Sequence, residues 1–136
     1  MATEFTYGKL EKLKGRTLIQ KVFSEGKSFT VFPLRVFYLQ PEMKMDFYLK
    51  VGAGAGSRSF KKAVDRNRIK RLLREIYRTE KEILQDYLEA NKKQVAVFIL
   101  YIGKELPDYT LLKKKIPIAL QKLISTINEE DTTANT

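Results

Sequence analysis

The stretch KKAVDRNRIKRLLREIYR, from Lys61 to Arg78, carries eight Lys or Arg side chains against two acidic ones, Asp65 and Glu75. Six excess positive charges over about five helical turns repel one another unless something outside the chain neutralises them. The spacing is helical. Ile69, Leu72, Leu73, Ile76, Ile83 and Tyr87 recur along one face of a helix predicted over about 60–90, and Arg66, Lys70, Arg74 and Arg78 drift across the other. Beyond Arg78 the sign reverses at Glu80, Glu82, Asp86 and Glu89, so the positive field sits in the amino-terminal half. The helix macrodipole favours anions at that same end, where Lys61, Lys62, Arg66 and the first backbone N–H groups can act together on phosphate. Arginine suits the task because its planar fork grips two phosphate oxygens at once.

Working outward, TLIQKVFSEG places Leu18, Ile19, Val22 and Phe23 at helical spacing before Gly26, which predicts a short helix over about 16–25. Two antiparallel strands are predicted next, at about 28–40 and 45–55, rich in β-branched and aromatic residues and with the first interrupted at Pro33. After the basic helix, QVAVFILYIG (94–103) has the nearly continuous apolar character of a strand buried on both faces. A last amphipathic helix is predicted over about 109–127, with Pro117 requiring a kink or a later start. Residues 1–14 read as loosely ordered and 128–136 as a flexible tail, leaving one domain over 15–127. The expected class is α+β: a single-domain sandwich of a sheet backed by helices, in the order α-β-β-β-α-β-α.

Composition narrows the chemistry. The 136 residues contain no Cys and no His, which removes thiolate and zinc-type metal sites, His-based nucleases and Ser–His–Asp hydrolysis. The lack of Cys suits the cytoplasm. No apolar run is long enough to span a bilayer. A net charge of +10 attracts polyanions, whether nucleic acid, acidic membrane or acidic protein. A membrane-surface role needs an apolar helix face free for lipid, whereas the stripe of the basic helix is required by the sheet.

The segment GAGAGS (52–57) matches neither the dinucleotide nor the Walker phosphate loop, so it reads as a strand end closely approached by other groups, with no organic cofactor implied. In the strand before it, alternation places Leu34, Val36 and Tyr38 on one side and Arg35, Phe37 and Leu39 on the other. A face mixing Arg with Phe is a surface on which single-stranded bases can stack. Phe47 reads as core.

The run KKAVDRNRIKRLLRE closely resembles the signature of the bacterial ribonuclease P protein component. Lys61 or Lys62, Ala63, Val64, Arg66, Asn67, Arg68, Lys70, Arg71 and Arg74 match a pattern of Lys-x-Ala-Val-x-Arg-Asn-Arg-x-Lys-Arg-x-x-Arg. The likeness extends in outline over about 10–127. It implies an α/β sandwich with a left-handed βαβ crossover carrying the Arg-Asn-Arg helix. It also implies an accessory subunit bound 1:1 to a catalytic RNA, which with Mg²⁺ removes the 5′ leader of precursor tRNA. On this likeness Lys61, Lys62, Arg66, Asn67, Arg68, Lys70, Arg71 and Arg74 would meet the RNA subunit. Ile19, Phe23, Arg35, Phe37 and Arg58 would line a cleft for the single-stranded leader. None of these is expected to be catalytic or to bind metal. A general RNA-binding or ribosome-associated module without enzymatic role remains the alternative.

Overall fold

The computed structural model describes residues 12, 13, 16–42, 44, 45 and 47–134. Eight elements follow in order: α1 (Arg16–Glu25), β1 (Lys27–Val31), β2 (Leu34–Leu39), β3 (Leu49–Ala55), α2 (Ala63–Glu80), α3 (Glu82–Asn91), β4 (Val95–Tyr101) and α4 (Tyr109–Ala134). The expected α+β class and the single sheet backed by helices are present. The element order is α-β-β-β-α-α-β-α, because the predicted long helix is two.

The strands form one sheet in the order β1-β2-β4-β3. β1 and β2 make an antiparallel hairpin across Phe32–Pro33, which replaces the single interrupted strand expected over 28–40. Proline has no N–H to give to a ladder, and the chain reverses where it stands. β2 runs antiparallel to β4, and β3 lies parallel to β4, joined to it by α2 and α3 as a crossover. Most of the expected 1–14 segment lies outside the described residues. Its Lys12 and Leu13 lie along the free edge of β3, where the Leu13 N–H donates to the Val51 carbonyl (3.1 Å).

Alternation divides the sheet into two faces. Leu34, Val36, Tyr38, Leu49, Val51, Ala53, Val95, Val97, Ile99 and Tyr101 point to one side. There they meet Ile69, Leu73 and Ile76 of α2, Leu84 and Leu88 of α3, and Leu112, Ile116, Leu120, Leu123 and Ile127 of α4. Phe47 packs at the margin of this core, as expected. Among the described residues α1 is the one helix on the opposite face, with Val22 against Leu13 and Ala96 and with Ile19, Phe37, Leu39 and Phe98 around them.

Three expectations need correction. The helix predicted over 60–90 breaks at Lys81, which is itself buried. The break shifts the phase of the apolar stripe, so Leu84 and Leu88 face the core while Ile83 is 41% exposed. The tail expected from 128 is helical through Ala134, and Glu130 there accepts from the Tyr38 hydroxyl (2.8 Å) and pairs with Lys27 (3.0 Å). Pro117 lies inside α4, which already starts at Tyr109, so the alternative of a later start is overturned.

Candidate nucleic-acid interface

Two surfaces carry the residues singled out by the sequence, on opposite sides of the sheet. The first is the outward side of α2. Ile69, Leu73, Ile76 and Tyr77 are buried and fix its rotation. That rotation leaves Asn67, Arg68 and Arg71 exposed, with Lys70 and Arg74 half-exposed beside them. A shallow depression of about 390 Å³ is lined by Asn67, Lys70, Arg71, Arg74, Glu75 and Arg78. A second of about 420 Å³, lined by Val64, Asn67, Arg68 and Arg71, adjoins it through the shared Asn67 and Arg71. Within the groove Glu75 is occupied by Arg78, whose Nη2 lies 2.6 Å from its carboxylate and holds that carboxyl below its usual range. Partial burial, reinforced by the charge of Arg74, holds the Lys70 ammonium below the ordinary lysine value. An incoming phosphate would relieve that strain.

Arg66 departs from its companions. Its Nη1 donates to the carbonyls of Phe60 (2.7 Å) and Lys61 (2.8 Å), and so clamps the segment that enters α2. The side chain assigned with the outward set is turned back, in part, onto its own backbone. Lys61 and Lys62 are exposed at the helix start, where Lys62 occupies the N-cap position without a side-chain cap.

The second surface is the face left open beside α1. Arg35 and Phe37 lie there, as the alternation predicted. Phe37 pairs across the strands with Phe98, and Arg35 with Leu100. Phe23 of α1 completes a three-ring cluster, with centroids 4.6 Å from Phe37 and 5.1 Å from Phe98. The Arg35 guanidinium stands 5.1 Å over the Phe37 ring and donates to Ser28 Oγ at 3.3 Å. Ile19 packs deeper, among the residues that seat α1. Arg58 is exposed in the turn directly after β3, outside the ring cluster.

Phe98 was missed by the sequence reading, which took its strand as buried on both faces. The signal lay in GAGAGS. Gly52 and Gly54 fall on the same face as Phe98, and a Cβ on them would come within 3.0 and 3.1 Å of its ring. The glycines let the ring lie against the β3 backbone, which accounts for their alternation with Ala53 and Ala55. Among the described residues there is no group of three or more His, Cys, Asp or Glu that could hold a metal ion. No described helix is long and apolar enough to cross a membrane.

Fold and surfaces together define a small basic α+β protein with a cationic helix on one side of its sheet and an aromatic cluster on the other. The family model for ribonuclease P matches residues 7–124. A ribonuclease P protein component from Porphyromonas gingivalis is 33% identical over 129 residues, covering 93% of this chain and 94% of the relative. One from Chlorobium phaeobacteroides is 31% identical, covering 79% and 81%. The solved ribonuclease P protein of Thermotoga maritima superposes with a TM-score of 0.63 at 25% identity, covering 82% of this chain and 96% of that one. The Staphylococcus aureus protein shares the fold, with a TM-score of 0.58 at 14% identity over 85% of this chain and 96% of that one. The chain belongs to the ribonuclease P protein component family.

Proposed function

We propose that this chain is the protein subunit of a ribonucleoprotein ribonuclease P, binding a catalytic RNA through α2 and the 5′ leader of precursor tRNA beside α1. The observation that carries the reading is the separation of a cationic groove and an aromatic cluster onto opposite sides of one sheet. A folded RNA presents phosphates, which Asn67, Arg68, Lys70, Arg71 and Arg74 are equipped to hold. An unpaired leader presents base faces, which Phe23, Phe37 and Phe98 can stack against. A chain without His or Cys is well furnished to hold RNA and poorly furnished to cut it. Cleavage therefore falls to the RNA partner and its Mg²⁺, in a 1:1 complex in the cytoplasm. The protein contributes charge screening and positioning of the leader.

The test is reconstitution. Combined with its cognate RNA, the chain should permit cleavage of precursor tRNA at modest Mg²⁺ concentration, and the protein alone should release no leader. Hydrolysis by the purified protein would overturn the division of labour. Binding of the leader no tighter than of unrelated single strands would instead favour the general RNA-binding module.

A further inference from the structure

Phe37 does not present a bare ring to solvent. Phe23 of α1 packs against it with centroids 4.6 Å apart, and the Arg35 guanidinium stands 5.1 Å over it. Arg35 is exposed whereas Phe37 is half-buried, so the guanidinium is the layer that meets solvent in front of the ring.

The β1–β2 ladder explains how an exposed arginine comes to lie there. Across it Ser28 pairs with Phe37 and Thr30 with Arg35, and alternation puts all four on the α1 side. From Arg35, the Phe37 ring is two residues along its own strand and Ser28 is the diagonal neighbour on the next. Long side chains reach both positions. Ser28 Oγ accepts from Arg35 Nη2 at 3.3 Å, which draws the guanidinium in the same direction as its contact with the ring. Each contact is weak on an exposed surface, but the two act on one side chain and select one conformer. Ordering a free arginine at the moment of binding would cost affinity, and this one is ordered beforehand. A guanidinium is planar and weakly hydrated, so one of its faces can rest on an aromatic ring while the other receives a base. An ammonium has no such plane.

We propose that the Arg35 guanidinium, laid over Phe37, is the plane on which a base of the single-stranded leader stacks, and that Ser28 is the positioning residue that holds it there. Phe37 then supports the stack from beneath, and the charge of Arg35 serves the phosphate attached to the same nucleotide. The inference rests on the leader-binding reading of the α1 side and deepens it.

The test uses the reconstituted complex of the chain with its RNA. Its readout is the ratio of affinities for an uncleavable precursor tRNA and for mature tRNA, which has no leader. Arg35→Lys keeps the charge and removes the plane, so the ratio should fall roughly five-fold or more while the salt dependence stays unchanged. Ser28→Ala should lower it about two- to ten-fold, and Ser28→Thr should restore it. In the Arg35→Ala background, Ser28→Ala should change nothing further, because Ser28 acts through Arg35. A full ratio in Arg35→Lys would reduce Arg35 to a point charge and overturn the proposal. A ratio that rises in Arg35→Ala would overturn it too, since the guanidinium would then mask the ring. An equal loss from Ser28→Ala with and without Arg35 would end the positioning role. If Phe37→Ala lowers the ratio while Arg35→Lys and Ser28→Ala do not, the proposal is wrong and the leader-binding reading stands. If neither Phe37→Ala nor Arg35→Ala lowers it, both fail.

Discussion

The two faces of the sheet differ in how completely they are covered, and the difference separates stability from binding. On one face α2, α3 and α4 bury every inward residue of β2 and β4 from Leu34 to Tyr101. On the other, the ten residues of α1 cover Ala96 and reach only to Phe37 and Phe98. Leu100, Arg35 and Gly54 continue that second face, and among the described residues no cluster with α1 includes them. A closed face stabilises by removing apolar area from water. A half-open one keeps rings and a guanidinium available. α2 shows the same division around its own circumference, buried along Ile69, Leu73 and Ile76 and cationic along Asn67, Arg71 and Arg74.

Substitutions placed on each side of the sheet should give different readouts. Leu73→Ala, wholly inside the closed face, should cost about 2–5 kcal/mol of stability in urea unfolding. Phe37→Ala should cost about 1–3 kcal/mol of leader affinity while the salt dependence stays unchanged. If Phe37→Ala instead unfolds the domain as Leu73→Ala does, the second face is core and the comparison collapses. Arg66→Ala should lower stability by about 1–2 kcal/mol through the two lost carbonyl contacts, whereas Arg68→Ala and Arg71→Ala should leave the unfolding midpoint in place.

Electrostatic effects come next in size. With five or six phosphates neutralised by α2, log K against log salt should fall with a slope of roughly −4 to −5, flattened by about one unit in Arg71→Ala. The smallest effect concerns Lys70. Burial, then Arg74, depress its pKa in the free protein, and a phosphate partner raises it again. Binding therefore takes up protons on the alkaline side, below the ordinary lysine value, and affinity falls there as pH rises. The decline should be smaller in Lys70→Gln, measured with a nuclease-stable RNA analogue.

Much of this was legible in the residues because one-dimensional spacing maps directly onto facing. The alternation in β2 and the basic character of α2 survived intact. What failed involved partners distant in sequence. No Gly or Pro marks the break at Lys81; it comes from the need of Leu84 and Leu88 to reach the core. Residues 128–134 have the polarity of a tail, yet Tyr38 and Lys27 engage Glu130 from across the sheet. Arg66 shares the spacing of the outward cations, and only the fold brings the carbonyls of Phe60 and Lys61 against it. Phe98 was hidden in an apolar run because the short reach of α1 across the sheet is not written in that run.

If the two surfaces have different partners, a crossed binding measurement separates them. Affinities of Arg71→Ala and Phe37→Ala should be measured for the isolated RNA subunit, and for precursor tRNA leader in the assembled complex. Arg71→Ala should weaken RNA-subunit binding and spare the leader once assembly is saturated, and Phe37→Ala should do the reverse. Equal weakening of both interactions by either folded variant would contradict that separation of partners.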